Sequence, residues 1–362
     1  MSVIAAPIEP EAPPVLTRRR LIVAAAFLAV SAVSLVLLLP QLADLPGMWD
    51  RVVAGDHGWL ALAFLFNAVS LGGYVVLFRA VAGRIRLRDS ALIMLAGNAA
   101  SRLFASAGAG GVVLTAWALR RSGMDRDTVT ARMTTFLVLM YAVYMGALVV
   151  GGLGLWLGVL PGDAPLAMTL VPAAFGALVI ALALVLPRFK PGALAEGVRS
   201  ALSFAGPGLT GAVVYWGFQV AVLWACFHAF GEAPPVAVLV VAFFVGMLAN
   251  TLPLPGGVGG VDGGMIGALV AFGVDAELAV VAVLAFRGFT FWLPIAPGIA
   301  AYFALRRAVA SWEAVGPLAA DHRAEDSDLA ELLRRAGDRV PVQQDKVRVE
   351  PCGQPAPALV AA

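Results

Sequence analysis

The sequence predicts an all-α, polytopic membrane protein with about six full transmembrane helices and two re-entrant helical hairpins in an inverted-repeat arrangement. Three observations predict this class. Of the 362 residues, 60% are hydrophobic and only 13% are charged, whereas soluble domains average about 25% charged. Apolar segments long enough to cross a bilayer recur along the chain. Nearly all Lys and Arg residues lie in segments that this topology places on one side, as expected for the cytoplasmic face.

The chain divides into three parts. We predict that residues 1–17 form a disordered cytoplasmic N-terminus, that residues 18–308 form a transmembrane domain, and that residues 309–362 form a polar cytoplasmic tail. Each full span is an apolar run of about 20 residues or more. The six predicted spans are about Leu21–Leu39, Trp59–Ala80, Met133–Leu157, Leu166–Leu186, Gly208–Phe230 and Leu278–Leu305, the last kinked near Pro294 and Pro297.

Residues 90–119 are predicted to form the first hairpin. Arginines flank this segment on both sides, Arg102 is its one charged residue, and its middle is rich in glycine. Basic flanks indicate that both ends are cytoplasmic. The segment is too short for two full spans of about 20 residues each, and glycine disfavours a continuous helix. We therefore expect it to enter and leave the membrane from the cytoplasmic side.

Residues 236–272 are predicted to form the second hairpin. Pro253 and Pro255 interrupt an apolar stretch that has acidic rather than basic flanks. Proline lacks the amide hydrogen that a helix interior needs, so the backbone breaks within the segment. The acidic flanks favour entry from the outer side. The two hairpins and their neighbouring spans then form an inverted repeat, as in many transporters.

Three isolated charged residues lie in the interior of apolar segments, where an ionisable side chain indicates a functional site. Asp262 is interpreted as a proton or cation site, as the partner of a cationic group or a buried arginine, or as the N-cap of a half-helix starting near Gly263. Arg287 and Arg102 are interpreted as guanidinium clamps for a phosphate. The alternatives are a structural Arg287–Asp262 ion pair, or arginine side chains that extend to the membrane interface.

The glycines of the second hairpin recur every four residues, at Gly256, Gly260 and Gly264 and at Gly259, Gly263 and Gly267. This spacing favours close helix packing. The alternative is a set of exposed backbone amides at a helix N-terminus that bind an anionic head group. The complete set of predicted substrate-binding or translocation residues is Asp262, Arg287, Arg102, Asn250, Pro253, Pro255, Gly256, Gly257, Gly259 and Gly260.

Enzyme chemistry is disfavoured by the residues present. The chain has three histidines, none of them placed with ligand spacing for a metal. An intramembrane aspartyl protease needs two carboxylates at depth, and Asp262 is a single acid. We therefore expect no catalytic residues, no metal and no cofactor.

The stretch Pro253-Leu-Pro-Gly-Gly-Val-Gly-Gly-Val-Asp262, with Phe272-Gly-Val274 after it, resembles the signature of the lysylphosphatidylglycerol synthase transmembrane-domain family. That signature usually reads Pro-x-Pro-Gly-Gly-x-Gly-x-x-Glu, so Asp262 replaces a Glu. The first hairpin, with Arg102 and the segment Gly108–Arg121, is similar to the family's other glycine-containing element. The resemblance covers about residues 20–308.

The resemblance implies a flippase-like protein of the cell membrane that translocates a phospholipid or a lipid-linked head group, without the soluble synthase domain. Membrane lipids are then the expected partners and nucleic acid is not, while a homo-oligomer is left open. Two other hypotheses fit the sequence. One is an ion-coupled secondary transporter for small solutes, and the other is a membrane scaffold that transports nothing.

Overall fold

The computed structural model describes residues 54–83, 85–103, 109–162, 165–189, 192–203, 206–248 and 259–315. The secondary structure of these residues is helical, with no strand among them. The predicted span Leu21–Leu39, the N-terminal segment 1–17 and the tail from residue 316 onward lie outside the described residues, as do the tips of both predicted hairpins.

The described residues form eleven α-helices and one π-helical segment. In chain order they are α1 His57–Ala82, α2 Leu87–Leu103, α3 Ala109–Arg121, α4 Arg126–Trp156, α5 Leu166–Phe189, α6 Ala193–Ser203, α7 Pro207–Phe230, α8 Val236–Leu248, α9 Gly260–Ala271, α10 Ala276–Arg287, the π segment Gly288–Trp292 and α11 Ile295–Val315. Within the part of the chain that the structure describes, five stretches are long and apolar enough to cross a membrane: α1, α4, α5, α7 and the unit from α10 through α11.

Helices α1 and α7 form the most extensive helix pair and run antiparallel. The Asp56 amide donates to the Ala229 carbonyl at 2.9 Å at one end of the pair, and the Ser70 hydroxyl donates to the Tyr215 carbonyl at 2.9 Å near its middle. Glycines let the two backbones touch. A Cβ atom on Gly211 would lie 2.5 Å from the backbone nitrogen of Leu77, so no larger residue fits at this contact.

Each predicted hairpin consists of two short helices packed against each other. The arms α2 and α3 meet at glycines, because a Cβ on Gly111 would lie 2.5 Å from the Gly97 carbonyl oxygen. The arms α8 and α9 meet where a Cβ on Gly246 would lie 2.7 Å from that of Met265. Helices of 13 and 12 residues in α8 and α9 are about 20 Å long or less, which is shorter than the hydrocarbon core of about 30 Å.

Long helices from each half of the chain pack against the hairpin of the other half. Helix α4, which follows the first hairpin, packs on α8 of the second hairpin, while α11, at the end of the chain's last span, packs on α2 of the first. Small residues line both contacts, at Gly151 against Val241 and at Gly298 against Ala99. Reciprocal packing of this kind is what an inverted repeat of the two halves requires.

The buried side chains form two main clusters, one around each hairpin. Phe227, Phe243 and Met265 belong to the cluster around the second hairpin, whereas Phe78 and Ile93 belong to the cluster around the first. The outward faces are apolar as well. Val171 and Leu178 on α5, for example, are 65% and 58% exposed, which is typical of a helix that faces lipid. The protein is therefore a multi-pass membrane protein.

One helix has no counterpart among the sequence predictions. Helix α6 lies in the connection between α5 and α7, and it packs on α4 through Gly197, whose Cβ would lie 2.5 Å from the Thr134 side chain. Its buried positions Ala195 and Val198 are three residues apart, the spacing of one face of an amphipathic helix.

Candidate functional site

The last span changes its hydrogen-bond pattern between α10 and α11. In the π segment the Leu293 amide donates to the Gly288 carbonyl, five residues back, at 2.9 Å. Pro294 follows and has no amide hydrogen to donate. The carbonyls of Phe289 and Thr290 therefore lose the donors that a continuous α-helix would supply. Single π turns of this kind are frequent at functional sites.

Side chains from the first half of the chain supply the missing donors. The Asn67 amide on α1 donates through Nδ2 to the Phe289 carbonyl at 2.9 Å. The Arg102 guanidinium on α2 donates through Nη2 to the Thr290 carbonyl. Buried carbonyls without donors are costly, and more so away from water. These two bonds therefore hold the π segment against α1 and the first hairpin.

Asp262 and Arg287 form an ion pair next to the π segment, which Arg287 directly precedes. The Arg287 Nε–H donates to Asp262 Oδ1, and the two side chains are 11% and 17% exposed respectively. The second carboxylate oxygen, Oδ2, accepts from the Gly259 amide at 3.1 Å. Asp262 therefore links the start of α9 to the end of α10, which joins the second hairpin to the last span.

Both arginines lie beside the same aromatic ring. The guanidinium carbon of Arg102 is 5.9 Å from the ring centroid of Phe291, and that of Arg287 is 5.4 Å from it. The two cationic groups are therefore within about 12 Å of each other. Arg102 comes from the first hairpin and Arg287 from the second half of the chain, so the inverted repeat brings them together. Phe291 itself is buried.

The charges of this group do not cancel. Asp262 compensates Arg287, whereas no carboxylate of the described residues pairs with Arg102. Two guanidinium groups and one carboxylate leave one positive charge inside an apolar bundle. An anion is the ligand class that such a group attracts, and a guanidinium binds phosphate oxygens in a bidentate manner.

The role of Asp262 at the helix start differs from the expected N-cap near Gly263. Helix α9 begins at Gly260, its N-cap is Gly259, and Asp262 is the third helical residue. The carboxylate accepts the Gly259 amide, so it still satisfies one of the free donors of the first turn. Gly259 has a φ of +82°, a conformation that glycine adopts readily.

The packing interpretation of the glycine repeat is wrong for one of its two rows. A Cβ on Gly259, Gly263 or Gly267 would meet no atom within 4 Å, so these glycines face open space rather than a packed helix. The described glycines that mediate close contacts between helices are others, such as Gly211 and Gly246. A four-residue period identifies one face of a helix, but it does not show whether another helix packs on that face.

Five predicted site residues lie outside the described residues: Asn250, Pro253, Pro255, Gly256 and Gly257. Of the others, the structure brings Asp262, Arg287, Gly259 and Gly260 together at the start of α9 and the end of α10. Arg102 joins them through Phe291. Their roles in binding or translocation stay predictions.

Sequence reasoning missed the residues that complete the group. Asn67 lies within the predicted span Trp59–Ala80, and Thr290 and Phe291 lie within the predicted span Leu278–Leu305, without any feature that marks them. The kink expected at Pro294 and Pro297 was the available signal. A proline in a helix frees the carbonyl four residues before it, which here is Thr290, and a freed carbonyl in a membrane needs a donor from a neighbouring helix.

Comparison with known proteins agrees with this architecture. Residues 20–298 match the family model for the lysylphosphatidylglycerol synthase TM region. A stretch of 87 residues is 32% identical to a UPF0104 membrane protein of Methanothermobacter thermautotrophicus, and it covers 24% of this chain and 25% of that protein. The similarity thus spans about a quarter of the length of the curated relative. Because the family model matches most of the chain, the protein belongs to the family of the lysylphosphatidylglycerol synthase TM region.

Proposed function

We propose that this protein translocates a phospholipid, or a lipid-linked phosphate head group, between the leaflets of the cell membrane, as a transporter rather than an enzyme. The observation that carries the proposal is that Arg102 and Arg287 both lie beside Phe291, while the one carboxylate of this group, Asp262, pairs with Arg287. Intramembrane arginines are costly unless they pair or bind. A phosphate head group supplies the missing negative charge.

The family supports the same substrate class. Its name refers to the membrane region of a synthase whose product is an aminoacylated phospholipid. The inverted repeat supports transport, because broken helices that meet between two repeats are a common way to build a substrate site. The basic residues in connections between spans support a topology with both termini in the cytoplasm.

The ion pair suggests how binding is coupled to movement. Asp262 holds Arg287 and the Gly259 amide together, so the pair connects the second hairpin to the last span. A phosphate oxygen that accepts from Arg287 competes with the carboxylate for the same donor. In this mechanism, binding of the head group releases α9 from α10 and opens the site toward the second hairpin, which the topology predicts to face outward.

The test is leaflet exchange in reconstituted vesicles. Fluorescent phosphatidylglycerol is placed in both leaflets, and a membrane-impermeant reductant reports the fraction that reaches the outer leaflet. We expect exchange with the wild-type protein, and a loss of about tenfold or more for Arg102→Gln and for Asp262→Ala, since each removes a charged hydrogen-bonding group. Arg79→Gln is the matched control, because Arg79 is an exposed arginine at the end of α1.

Other outcomes favour the competing hypotheses. Uptake of a small solute that depends on pH or Na⁺, without lipid movement, favours an ion-coupled secondary transporter. Absence of any transport, together with unchanged cellular function of the Arg102 and Asp262 variants, favours a scaffold. Unchanged lipid exchange in Asp262→Ala and Arg102→Gln contradicts the proposed role of the charged group.

A further inference from the structure

The first hairpin contains a concentration of buried polar atoms without partners. Five buried side-chain polar atoms of the described residues lack a hydrogen-bond partner, and four of them lie on α2 and α3: Ser90 Oγ, Asn98 Nδ2, Arg102 Nη1 and Trp117 Nε1. Such atoms are rare in folded proteins, because each costs about 1–3 kcal/mol. The concentration of four of the five atoms in one hairpin calls for an explanation that is local to that hairpin.

Three of these four atoms are nitrogen donors. An amide nitrogen, a guanidinium nitrogen and an indole nitrogen give hydrogen bonds but accept none. A cation therefore cannot satisfy them, whereas a group rich in acceptor oxygens can. The fourth atom, the Ser90 hydroxyl oxygen, either donates or accepts. Together with the positive charge of Arg102, this set of donors favours an oxyanion.

Asn98 and Arg102 lie one helical turn apart on α2. They are four residues apart on α2, so they lie on the same helix face with Cβ atoms about 5–6 Å apart. Helical side chains incline toward the N-terminus, which directs the Arg102 side chain back over the turn that carries Asn98. The guanidinium is also fixed in orientation, because its Nη2 is bound to the Thr290 carbonyl and its carbon lies beside Phe291.

Ser90 belongs to the same face of α2. Ser90, Met94, Asn98 and Arg102 follow one another at intervals of four residues, and Ser90 is fully buried. At a rise of about 1.5 Å per residue, this face extends for about 18 Å along the helix. It begins at the end of α2 that the topology places at the cytoplasmic surface and ends at Arg102, within the bundle.

We propose that Asn98 and Arg102 form a binding site for a phosphate oxyanion, through which an anionic head group enters from the cytoplasmic side before it reaches Arg287. The amide of Asn98 and the Nη1 of Arg102 donate to oxygens of one phosphate. The proposal rests on the proposed function for the identity of the phosphate as a lipid head group. Oxyanion binding itself is testable without translocation.

The experiment measures thermal unfolding of the detergent-purified protein through tryptophan fluorescence. The probes are sodium phosphate, compared with sodium chloride at equal ionic strength, and short-chain dihexanoylphosphatidylglycerol. A ligand that binds the folded state raises the melting temperature with concentration. We expect a saturable rise with the wild-type protein, and a half-saturating concentration at least about tenfold higher for Asn98→Leu and for Arg102→Gln.

The stability of the variants separates binding from a structural role. Without ligand, we expect Asn98→Leu to melt at or above the wild-type temperature, because leucine removes an unsatisfied buried donor. Met94→Leu, one turn earlier on the same face, is the matched control and should leave ligand binding unchanged. If Asn98→Leu melts lower and keeps the wild-type ligand response, the amide has a structural role and the proposal is overturned.

A second variant covers the case in which Asn98→Leu fails to fold. Asn98→Asp keeps the size of the side chain and places a carboxylate one turn from Arg102, so it should abolish the phosphate-dependent rise. A rise that persists in Asn98→Asp overturns the proposal. A response to phosphatidylglycerol that is stronger than the response to inorganic phosphate supports a lipid source, and equal responses support a site for the phosphate group alone.

The two proposals fail in different ways. Lipid exchange in vesicles without phosphate-dependent stabilisation contradicts this site but leaves the proposed function intact. Phosphate-dependent stabilisation that needs Asn98 and Arg102, without lipid exchange, contradicts the proposed function and supports the site.

Discussion

Replacement of Asp262 by Asn tests the ion pair of the candidate site. The carboxylate accepts from Arg287 through one oxygen and from the Gly259 amide through the other. Asparagine keeps an acceptor for one of these donors but loses the charge. Removal of one member of a buried ion pair costs about 3–5 kcal/mol. The two side chains retain 17% and 11% exposure, which lowers the expected cost to about 2 kcal/mol.

A cost of this size is measurable as a fall in the melting temperature of roughly 3–6 °C in detergent. Asp262→Glu is the control, since it keeps the charge and should remain closer to the wild type. The double variant Asp262→Leu with Arg287→Met removes both charges, and we expect it to recover most of the loss. The single variants Asp262→Leu and Arg287→Met complete the double-mutant cycle. If their separate effects add in the double variant, the coupling energy is zero and our reasoning about the pair is refuted.

Three further predictions concern the frame around the site. Gly211→Ala should lower the melting temperature by several degrees, because its Cβ would lie 2.5 Å from the backbone of α1. Gly217→Ala on the same helix meets no atom within 4 Å and should be neutral. Equal effects of the two substitutions would refute the close contact between α1 and α7 at Gly211. Asn67→Leu should destabilise the protein by about 1–3 kcal/mol in chemical unfolding, since it leaves a carbonyl of the π segment without its donor; an unchanged unfolding midpoint would contradict this bond. Pro294→Ala restores an amide hydrogen that can bind the Thr290 carbonyl, so it should stabilise the helix while it slows lipid exchange; faster exchange would argue against the π segment as part of the site.

The sequence was sufficient for the class of fold and for most of the helices. The predicted span Trp59–Ala80 corresponds to α1, His57–Ala82, because hydropathy marks the apolar interior of a helix well. It marks helix ends less well. The span predicted to start at Met133 begins instead at Arg126, where Asp125 caps the helix and the first turns carry charged residues. Hydropathy excludes such turns although they are helical.

The candidate site was predictable in its charged members but not in its connections. Asp262, Arg287 and Arg102 stand out because charges are rare in apolar segments, and the Asp262–Arg287 pair was one of the alternatives that the sequence allowed. The contribution of Asn67 depends on which carbonyl the π segment frees and on which helix lies beside it. Both are properties of tertiary packing, and neither has a sequence signal of its own.

The dependence of lipid movement on a phosphate group is the sharpest test of the proposed function. Leaflet exchange is measured for fluorescent phosphatidylglycerol and for fluorescent glucosylceramide, a lipid whose polar head group has no phosphate, with wild-type protein and with Arg102→Gln. The proposed function predicts that the wild-type protein exchanges phosphatidylglycerol and not glucosylceramide, and that Arg102→Gln loses this exchange. Equal exchange of both lipids, or exchange of phosphatidylglycerol that is unchanged in Arg102→Gln, would contradict it.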